Sequence, residues 1–454
     1  MAQLTYTVTV PEGTNDCFIA GDMNGWTPHE MEKVSDTQYT ITIPEATILH
    51  QYKYCCGPSV IHYVEKTSSG YDVANRSFQT ADKVQSWAAT WIFGAPIPIT
   101  TVSGSAKSYF FRSKIVDDRN IEIWLPDNYN SSKKYSVLYM HDGQMLFDAA
   151  ITWNKQAWNV DKTLEQLINQ DSIQDVIVVG IDNNGAKREA EFFPQAVVEN
   201  ITEPEKSNLK KLLVGGAIAD NYLDFIVNEL KPYIDANYST YTDQSHTFIG
   251  GSSLGGMISL YALCKYPNVF HGIFCLSTHW IGTFAQNEAI PTAVINYLST
   301  NLPASGNHKI YFDHGTVGLD AMYAKAQVQV DSLVRTKGYT NADYLSLIFQ
   351  GADHSENSWS ARFNIPAKFI LSNDNETIIK ISSANHYLIY PNPVQNELYM
   401  KDHNFEINRF KVLNIRGEQE TIRLLSTNKI DTSYLKPGIY FLCFENEVFK
   451  FIKN

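Results

Sequence analysis

From about Tyr109 to Ser372 the chain alternates between short apolar runs and longer amphipathic stretches. SVLYMHDG, VIVVGID, HTFIGGS, GIFCLS, KIYFDHG and YLSLIFQG are apolar almost throughout, as strands of a sheet covered on both faces are. Between several of them lie stretches with a helical period: WNVDKTLEQLINQ, YLDFIVNELKPYIDANY and LDAMYAKAQVQVDSLVRTKG. The alternation predicts βα units, and so an α/β fold with a mainly parallel sheet between two layers of helices.

The flanks have another texture. LTYTVTVP, DCFIAG, TQYTITIP, HQYKYCC and VIHYVEK are short β runs separated by Gly, Pro, Asp and Asn, which predicts a small antiparallel sandwich. In GAPIPITTVSGSAK, prolines, glycines and small polar residues mark a linker. After Asn373 short strands return in HYLIYPNP, NELYM, INRFKVLNIRG, TIRLL and GIYFLCFENEVFKFIKN. The expected boundaries are 1–93 for the sandwich, 94–108 for a linker, 109–372 for the α/β domain, 373–384 for a second linker and 385–454 for a terminal β module.

Composition narrows the partners. Apolar residues make up 44% of the chain, enough for ordinary cores. Lys and Arg total 36 against 48 Asp and Glu, and residues 373–454 carry ten of each sign, so the deficit of twelve lies in residues 1–372. An acidic body repels phosphate backbones, which argues against nucleic acid as a partner. The 26 Tyr, 23 Phe and 8 Trp suit sugar rings or aromatic acids as well as plain cores. The six cysteines show no CxxC pair and no metal-finger spacing. No metal and no cofactor are expected. The cysteines are expected as buried thiols, with a bridge from Cys17 to Cys55 or Cys56 left open. No apolar run reaches the eighteen or so residues of a membrane span. MAQLTYTVTVPEG lacks the regions of a signal peptide, which leaves a cytoplasmic protein or one whose signal was removed.

The chemistry concentrates where HTFIGGS runs into SLGGMISLYALCKYP, whose Met257, Leu260, Tyr261 and Cys264 share one helical face. At the junction GSSLGG, Gly251 to Gly256, matches G-x-S-x-G. A strand-to-helix turn sharp enough to expose a serine crowds the positions two before and two after it, which must then lack side chains. Ser253 is the expected nucleophile, at a helix start whose free N–H groups favour developing negative charge. A serine hydroxyl needs a base, and this fold supplies acid and base in the order Ser, Asp or Glu, His. KIYFDHG leads into GTVGLDAMY and places Asp320 just past a strand end. YLSLIFQGADHSENSW places His354 on a similar loop. Asp313, within the strand, is the alternative acid, whereas Asp353 is too close in sequence to His354 to orient its ring. The expected oxyanion donors are the N–H of Leu254 and the N–H of Gln144 in SVLYMHDGQMLFD, with Gly143 behind it. The plain alternatives are a structural serine, an exposed loop histidine and an ordinary Asp-Gly turn.

RNIEIWLPDNY, VLYMHDGQMLFD, WNVD, VIVVGIDNN, FIGGSSLGGMISLYA, YFDHGTVGLD and GADHSENSWSARF follow one another over residues 105–372. Together they resemble the esterases related to esterase D and enterochelin esterase, a family that includes feruloyl and acetylxylan esterases. The resemblance implies an α/β-hydrolase fold, with Ser253 as nucleophile and His354 as base. The family's acid follows a Gly-Thr pair more closely than Asp320 follows Gly315 and Thr316, so Asp313 and a Ser-His dyad stay open. FIAGDMNGW, QYKY and VEK…ANRSF are similar to early-set sandwich modules near glycogen- and starch-binding domains. Such modules often pack beside an active site without binding sugar, and a core role is expected for Trp26 and Trp87. YPNPVQNELYM, FKVLNIRG and IDTSYLKPGIYFLCFENEVFKFIKN resemble the C-terminal sorting domain of type IX secretion in Bacteroidetes. That resemblance implies export, the secretion machinery as a partner, and a signal peptide replaced by the initiating Met1.

The combined expectation is a secreted or cell-surface serine ester hydrolase, an α/β-hydrolase core flanked by β-sandwich modules, removing feruloyl or acetyl groups from plant polysaccharide. A siderophore-type esterase of small esters and an acyltransferase would use the same serine chemistry and differ in the access of water and alcohol. A non-catalytic glycan-binding relic is the rival from another class, and the intact Ser253, Asp320 and His354 argue against it.

Overall fold

The strands at the centre of the molecule bury side chains on both faces. In Ser136–His141, Val176–Ile181 and Thr247–Ser252 every residue is buried. Alternate positions feed two separate cores. Val137, Tyr139, Ile177, Val179 and Ile249 pack on one face, and Leu138, Met140, Val176, Val178 and Phe248 on the other. With both faces covered, a strand has no polar side, and its sequence reads as a continuous apolar run.

The computed structural model describes residues 3–44, 46–92, 95–372, 389–390, 394–400, 410–414, 419–421, 423–426, 429–444 and 447–453. They fall into two compact units, Met1–Asn375 and Glu376–Asn454. The central sheet of the first unit has nine strands: β1 (Ile97–Ile99), β2 (Ser105–Phe111), β3 (Arg119–Leu125), β4 (Ser136–His141), β5 (Val176–Ile181), β6 (Thr247–Ser252), β7 (Gly272–Leu276), β8 (Lys309–Gly315) and β9 (Tyr344–Phe349). Their spatial order is β1-β2-β3-β5-β4-β6-β7-β8-β9. β4 to β9 are parallel, and β1 to β3 extend the sheet antiparallel beyond β5. With helices on both faces, this is the α/β-hydrolase architecture, and the six apolar runs are β4 to β9.

Two expected helices appear as Val160–Asn169 and Ala324–Thr336. The third, over residues 219–237, contains a π-helical turn at Ile226–Leu230. Residues 94–108, read as a linker, instead supply β1 and the start of β2. Ile97 and Ala106 are buried there. An edge strand is held by ladder bonds on one side and needs little apolar sequence, so its Pro- and Ser-rich composition resembles that of free chain.

In the N-terminal region, strands Glu32–Ser35, Gln38–Pro44, Gln3–Thr9 and Asp82–Lys83 form one sheet, and His29–Glu30, Phe18–Gly21, Gln51–Cys55 and Arg76–Ser77 another. Tyr6, Val8, Ile19, Tyr39, Tyr52 and Tyr54 fill the space between them. Trp87 packs against this core with its indole N–H on Thr14 Oγ1 at 2.9 Å. VIHYVEK departs from expectation, because only Glu65–Lys66 is strand. The Ser59 hydroxyl accepts from the amides of Ile61 and His62 and folds the preceding residues into a turn. Cys17, Cys55 and Cys56 are free thiols, so the bridge left open in the sequence is not formed.

These sheets seat directly on the α/β core. Phe18 and Trp91 meet Phe110 of β2 edge to face, and Pro58 O accepts from Asn120 Nδ2 of β3 at 2.9 Å. Gly25, at φ 60°, lies so close to the core that a Cβ there would stand 2.8 Å from the Ala186 amide nitrogen.

The second unit also has two four-stranded sheets. One joins Ile389–Tyr390, Glu397–Met400, Lys429–Asp431 and Arg423–Ser426, the other Gln419–Glu420, Phe410–Asn414, Gly438–Phe444 and Glu447–Lys453. Val394, Leu398, Val412, Ile430, Leu442 and Phe451 form its own core. The expected linker 373–384 and Pro391, Asn392 and Pro393 lie outside the described residues.

Candidate active site

β6 ends at Ser252 and the helix Leu254–Lys265 begins two residues later, leaving Ser253 at the corner with φ 58° and ψ −123°. A left-handed φ at a residue with a side chain costs on the order of 1–3 kcal/mol, so its surroundings must hold it. The Ser253 N–H donates to Leu276 O at 2.9 Å, and Ser253 O accepts from the amides of Met257 and His279, both at 3.2 Å. Gly251 and Gly255 face one another across the corner. A Cβ on Gly251 would lie 3.2 Å from Gly255 Cα, and one on Gly255 3.3 Å from His141 Cβ. The motif spacing is therefore a packing requirement of the turn that carries the half-buried serine. Leu254, as the first residue of the helix, has no intrahelical acceptor for its N–H.

Asp320 lies in the turn Gly318–Met322 after β8, and His354 in the loop after β9. Asp320 Oδ1 is 2.6 Å from His354 Nδ1, while Oδ2 accepts from the Gly315 amide at 2.7 Å and the Ser277 hydroxyl at 2.6 Å. Burial pushes this carboxyl toward its neutral form, but the hydrogen bonds from His354, Ser277 and Gly315 outweigh it and hold it below the usual carboxylate value. An ionised Asp320 takes the Nδ1 proton as its hydrogen bond. A neutral His354 then carries no proton on Nε2, the form in which an imidazole serves as a base.

Asp313 is committed elsewhere. Its oxygens meet Arg362 Nη2 at 3.0 Å and Nε at 3.2 Å, and the Tyr311 hydroxyl at 2.9 Å. Burial raises its carboxyl despite the Arg362 charge. The geometry joins Asp320, and not Asp313, to the histidine.

Gln144 lies in the single turn Gly143–Met145 after β4. The preceding Asp142, at φ 57°, is clamped by Arg188 through Nε at 2.7 Å and Nη2 at 2.8 Å. Gln144 Oε1 accepts from the Asn183 amide at 3.2 Å, and its own backbone N–H faces the Asp182 carboxyl. The amide expected beside that of Leu254 is thus turned toward Asp182 in this structure.

Sequence reasoning missed Ser277, His279, Tyr323, Trp359 and Arg362. Ser277, strained at φ 46°, donates to Asp320 and accepts from Trp359 Nε1 at 2.9 Å and Arg362 Nη2 at 3.0 Å. One donor and two acceptor sites are all a hydroxyl has, so this group is fully used. His279 ties its amide to Ser253 O, and its Nδ1 lies 2.7 Å from the Tyr323 hydroxyl. The Tyr323 and Trp359 rings in turn pack edge to face on His354, at 5.9 and 5.0 Å. Burial, then the charges of His354 and Arg188, brings His279 down to about 3, so it stays neutral. The signal for Ser277 and His279 was positional. They follow β7, beside the nucleophile strand, at the C-terminal edge where open α/β sheets collect functional groups. Among the described residues no cluster of His, Cys, Asp and Glu could hold a metal ion.

Residues 113–368 match the family model described as Putative esterase, and residues 388–454 the Secretion system C-terminal sorting domain. The chain is similar to the uncharacterized protein YbbA of Bacillus subtilis (strain 168), 22% identical over 268 residues that cover 58% of this chain and 96% of the relative. It is also similar to endo-1,4-beta-xylanase Y of Acetivibrio thermocellus, 22% identical over 52% of this chain but only 20% of the xylanase. Among solved structures, enterochelin esterase from Shigella flexneri superposes over 81% of this chain and 92% of its own, at 14% identity and a TM-score of 0.46. A feruloyl esterase module from Clostridium thermocellum, complexed with sinapinate, does so over 63% and 97%, at 17% identity and a TM-score of 0.43. The sorting-domain match implies type IX secretion machinery as a partner and a secreted or cell-surface protein. Among the described residues no helix is long and apolar enough to cross a membrane.

Proposed function

The chain belongs to the Putative esterase family and is an ester hydrolase, and from that premise we propose that it works through an acyl-enzyme on Ser253, with His354 as base and Asp320 as acid. His354 Nε2 takes the Ser253 proton as the oxygen attacks the ester carbonyl, and returns it to the departing alcohol. Asp320 keeps the ring in the required tautomer and stabilises the imidazolium. Water then repeats the sequence on the acyl-serine and releases the acid. The tetrahedral oxyanion forms at the helix start, with Leu254 N–H as one donor. The turn at Gly143 and Gln144 supplies the second, which requires the Gln144 amide to exchange Asp182 for the oxyanion.

The observation that carries this reading is the 2.6 Å contact between Asp320 and His354, made at the strand edge where Ser253 stands half-buried on its corner. For the substrate, we propose a feruloyl or acetyl ester on plant polysaccharide. The sorting domain, the similarity to a xylanase and a sandwich packed against the catalytic core support it. Purified protein should be assayed on 4-nitrophenyl acetate, methyl ferulate, acetylated xylan and a catecholate siderophore. Fastest turnover on methyl ferulate or acetylated xylan supports the polysaccharide reading, and fastest turnover on the siderophore replaces it with a small-ester one.

A further inference from the structure

Where the N-terminal sheets meet the α/β core, the structure forms an open cavity of about 260 Å³. Trp26, Pro58 and Val60 line it from the sandwich, and Phe110, Glu122 and Asp182 from the core. Gln144 also lines it, so it adjoins the Ser253 corner along the same edge. Asp182 follows β5 and Ser253 follows β6, with β4 between them, so two strand spacings, about 10 Å, separate the strand ends that carry them.

Two groups in this cavity are unusual for a structural interface. Glu122 is only 5% exposed, and burial and the Asp182 charge are the influences that act on its carboxyl, with no cation among them. Asp182 Oδ1 is buried without a partner. The nearest cation, Arg119, is already taken by both oxygens of Glu191, at 2.6 and 2.8 Å. A carboxyl removed from water without a partner costs several kcal/mol unless it is neutralised or bonded, so such groups call for a ligand. Burial raises both, Asp182 to about 8, so near neutral pH the pair retains a proton and presents donor and acceptor oxygens together. At the mouth, Trp153 holds its indole 83% exposed.

That combination selects its ligand. An anion would meet carboxyls, and a wholly apolar molecule would leave them unbonded. A divalent metal would lack the further ligands it requires, as no suitable cluster exists among the described residues. A neutral ring with adjacent hydroxyls satisfies both carboxyls, and its C–H faces suit indoles. We propose that this cavity is a subsite for one sugar ring of a carbohydrate chain, with Glu122 and Asp182 bonding its hydroxyls and Trp26 and Trp153 covering its faces. The proposal deepens the polysaccharide reading of the substrate and rests on it: the ring bound here belongs to the same chain that presents its ester to Ser253.

The test uses the full chain carrying Ser253→Ala, so that binding is read without turnover. Unesterified xylohexaose, cellohexaose and mannohexaose are titrated calorimetrically, with putrescine as a cationic probe. At least one oligosaccharide is expected to bind, and both Trp153→Ala and Glu122→Leu, each added to Ser253→Ala, should weaken it tenfold or more. Trp153 is too exposed for its loss to unfold the protein, and a matched melting temperature checks Glu122→Leu. Absence of binding by all three sugars, affinity unchanged in both variants, or binding of putrescine alone overturns the proposal. If the sugar binds as described but no ester is hydrolysed by the parent protein, the catalytic reading fails and the subsite stands.

Discussion

Asp320 Oδ1 lies 2.6 Å from His354 Nδ1 although 34 positions of sequence separate them. The sheet brings them together: β8 and β9 are parallel neighbours with Gly315 beside Phe349, so the loops that leave them emerge at one edge. Asp320→Asn is therefore expected to lower kcat on 4-nitrophenyl acetate by roughly 10³–10⁴-fold with little change in KM. Asp313→Asn should act on stability instead, because it strips Arg362 of its buried counter-charge, a loss of about 3–5 kcal/mol when a buried pair is broken. A kcat loss in folded Asp313→Asn as large as that of Asp320→Asn would place the acid on the strand.

Ser277→Ala removes a donor to Asp320 and an acceptor for two buried N–H groups, those of Trp359 and Arg362. Each donor left unsatisfied costs about 1–3 kcal/mol. The variant should melt several degrees lower and, with Asp320 less firmly held, turn over about tenfold more slowly. Thermal melting and kcat measured on one preparation check both, and an unchanged kcat would remove Ser277 from the positioning of the acid.

The strands and the strand-to-helix corner at Ser253 were legible because their causes are local. Burial on both faces writes itself into β4 to β9 as apolar runs, and the crowding between Gly251 and Gly255 writes itself into the motif spacing. Asp320 was preferred to Asp313 from its loop position alone; the pairing of Asp313 with Arg362, 49 positions away, was not legible. The role of Ser277 was hidden for the same reason, its partners being 43, 82 and 85 positions distant. The first strands of the sheet were mistaken for linker because an edge strand can be polar, and VIHYVEK was mistaken for strand because a side-chain bond from Ser59 bends an apolar run.

Burial, with the Asp142 charge adding to it and Arg119 opposing, raises the Asp182 carboxyl to about 8. In the unfolded chain it titrates near 3.9. Between these values the folded state holds a proton that the unfolded state has lost, so this group makes stability fall as pH rises from about 4 to about 8, and the effect levels off above. Asp182→Asn cannot ionise and escapes that loss. The melting temperature of the variant minus that of the parent should grow steadily over this window. A difference that stays constant with pH contradicts the assignment.

The terminal unit has its own core of Val394, Leu398, Val412, Ile430, Leu442 and Phe451 and matches a sorting domain. Deleting residues 373–454 is expected to leave kcat and KM on soluble esters within about twofold. A large loss of activity with a folded core would show that this unit completes the catalytic site.

The most direct test is Ser253→Ala assayed for hydrolysis of 4-nitrophenyl acetate alongside a thermal melt. The Ser253 hydroxyl makes no hydrogen bond among the described residues, so the melting temperature should stay within a degree or two of the parent. Hydrolysis should fall by at least about 10⁴-fold. Residual turnover near the parent level in the folded variant would contradict the account.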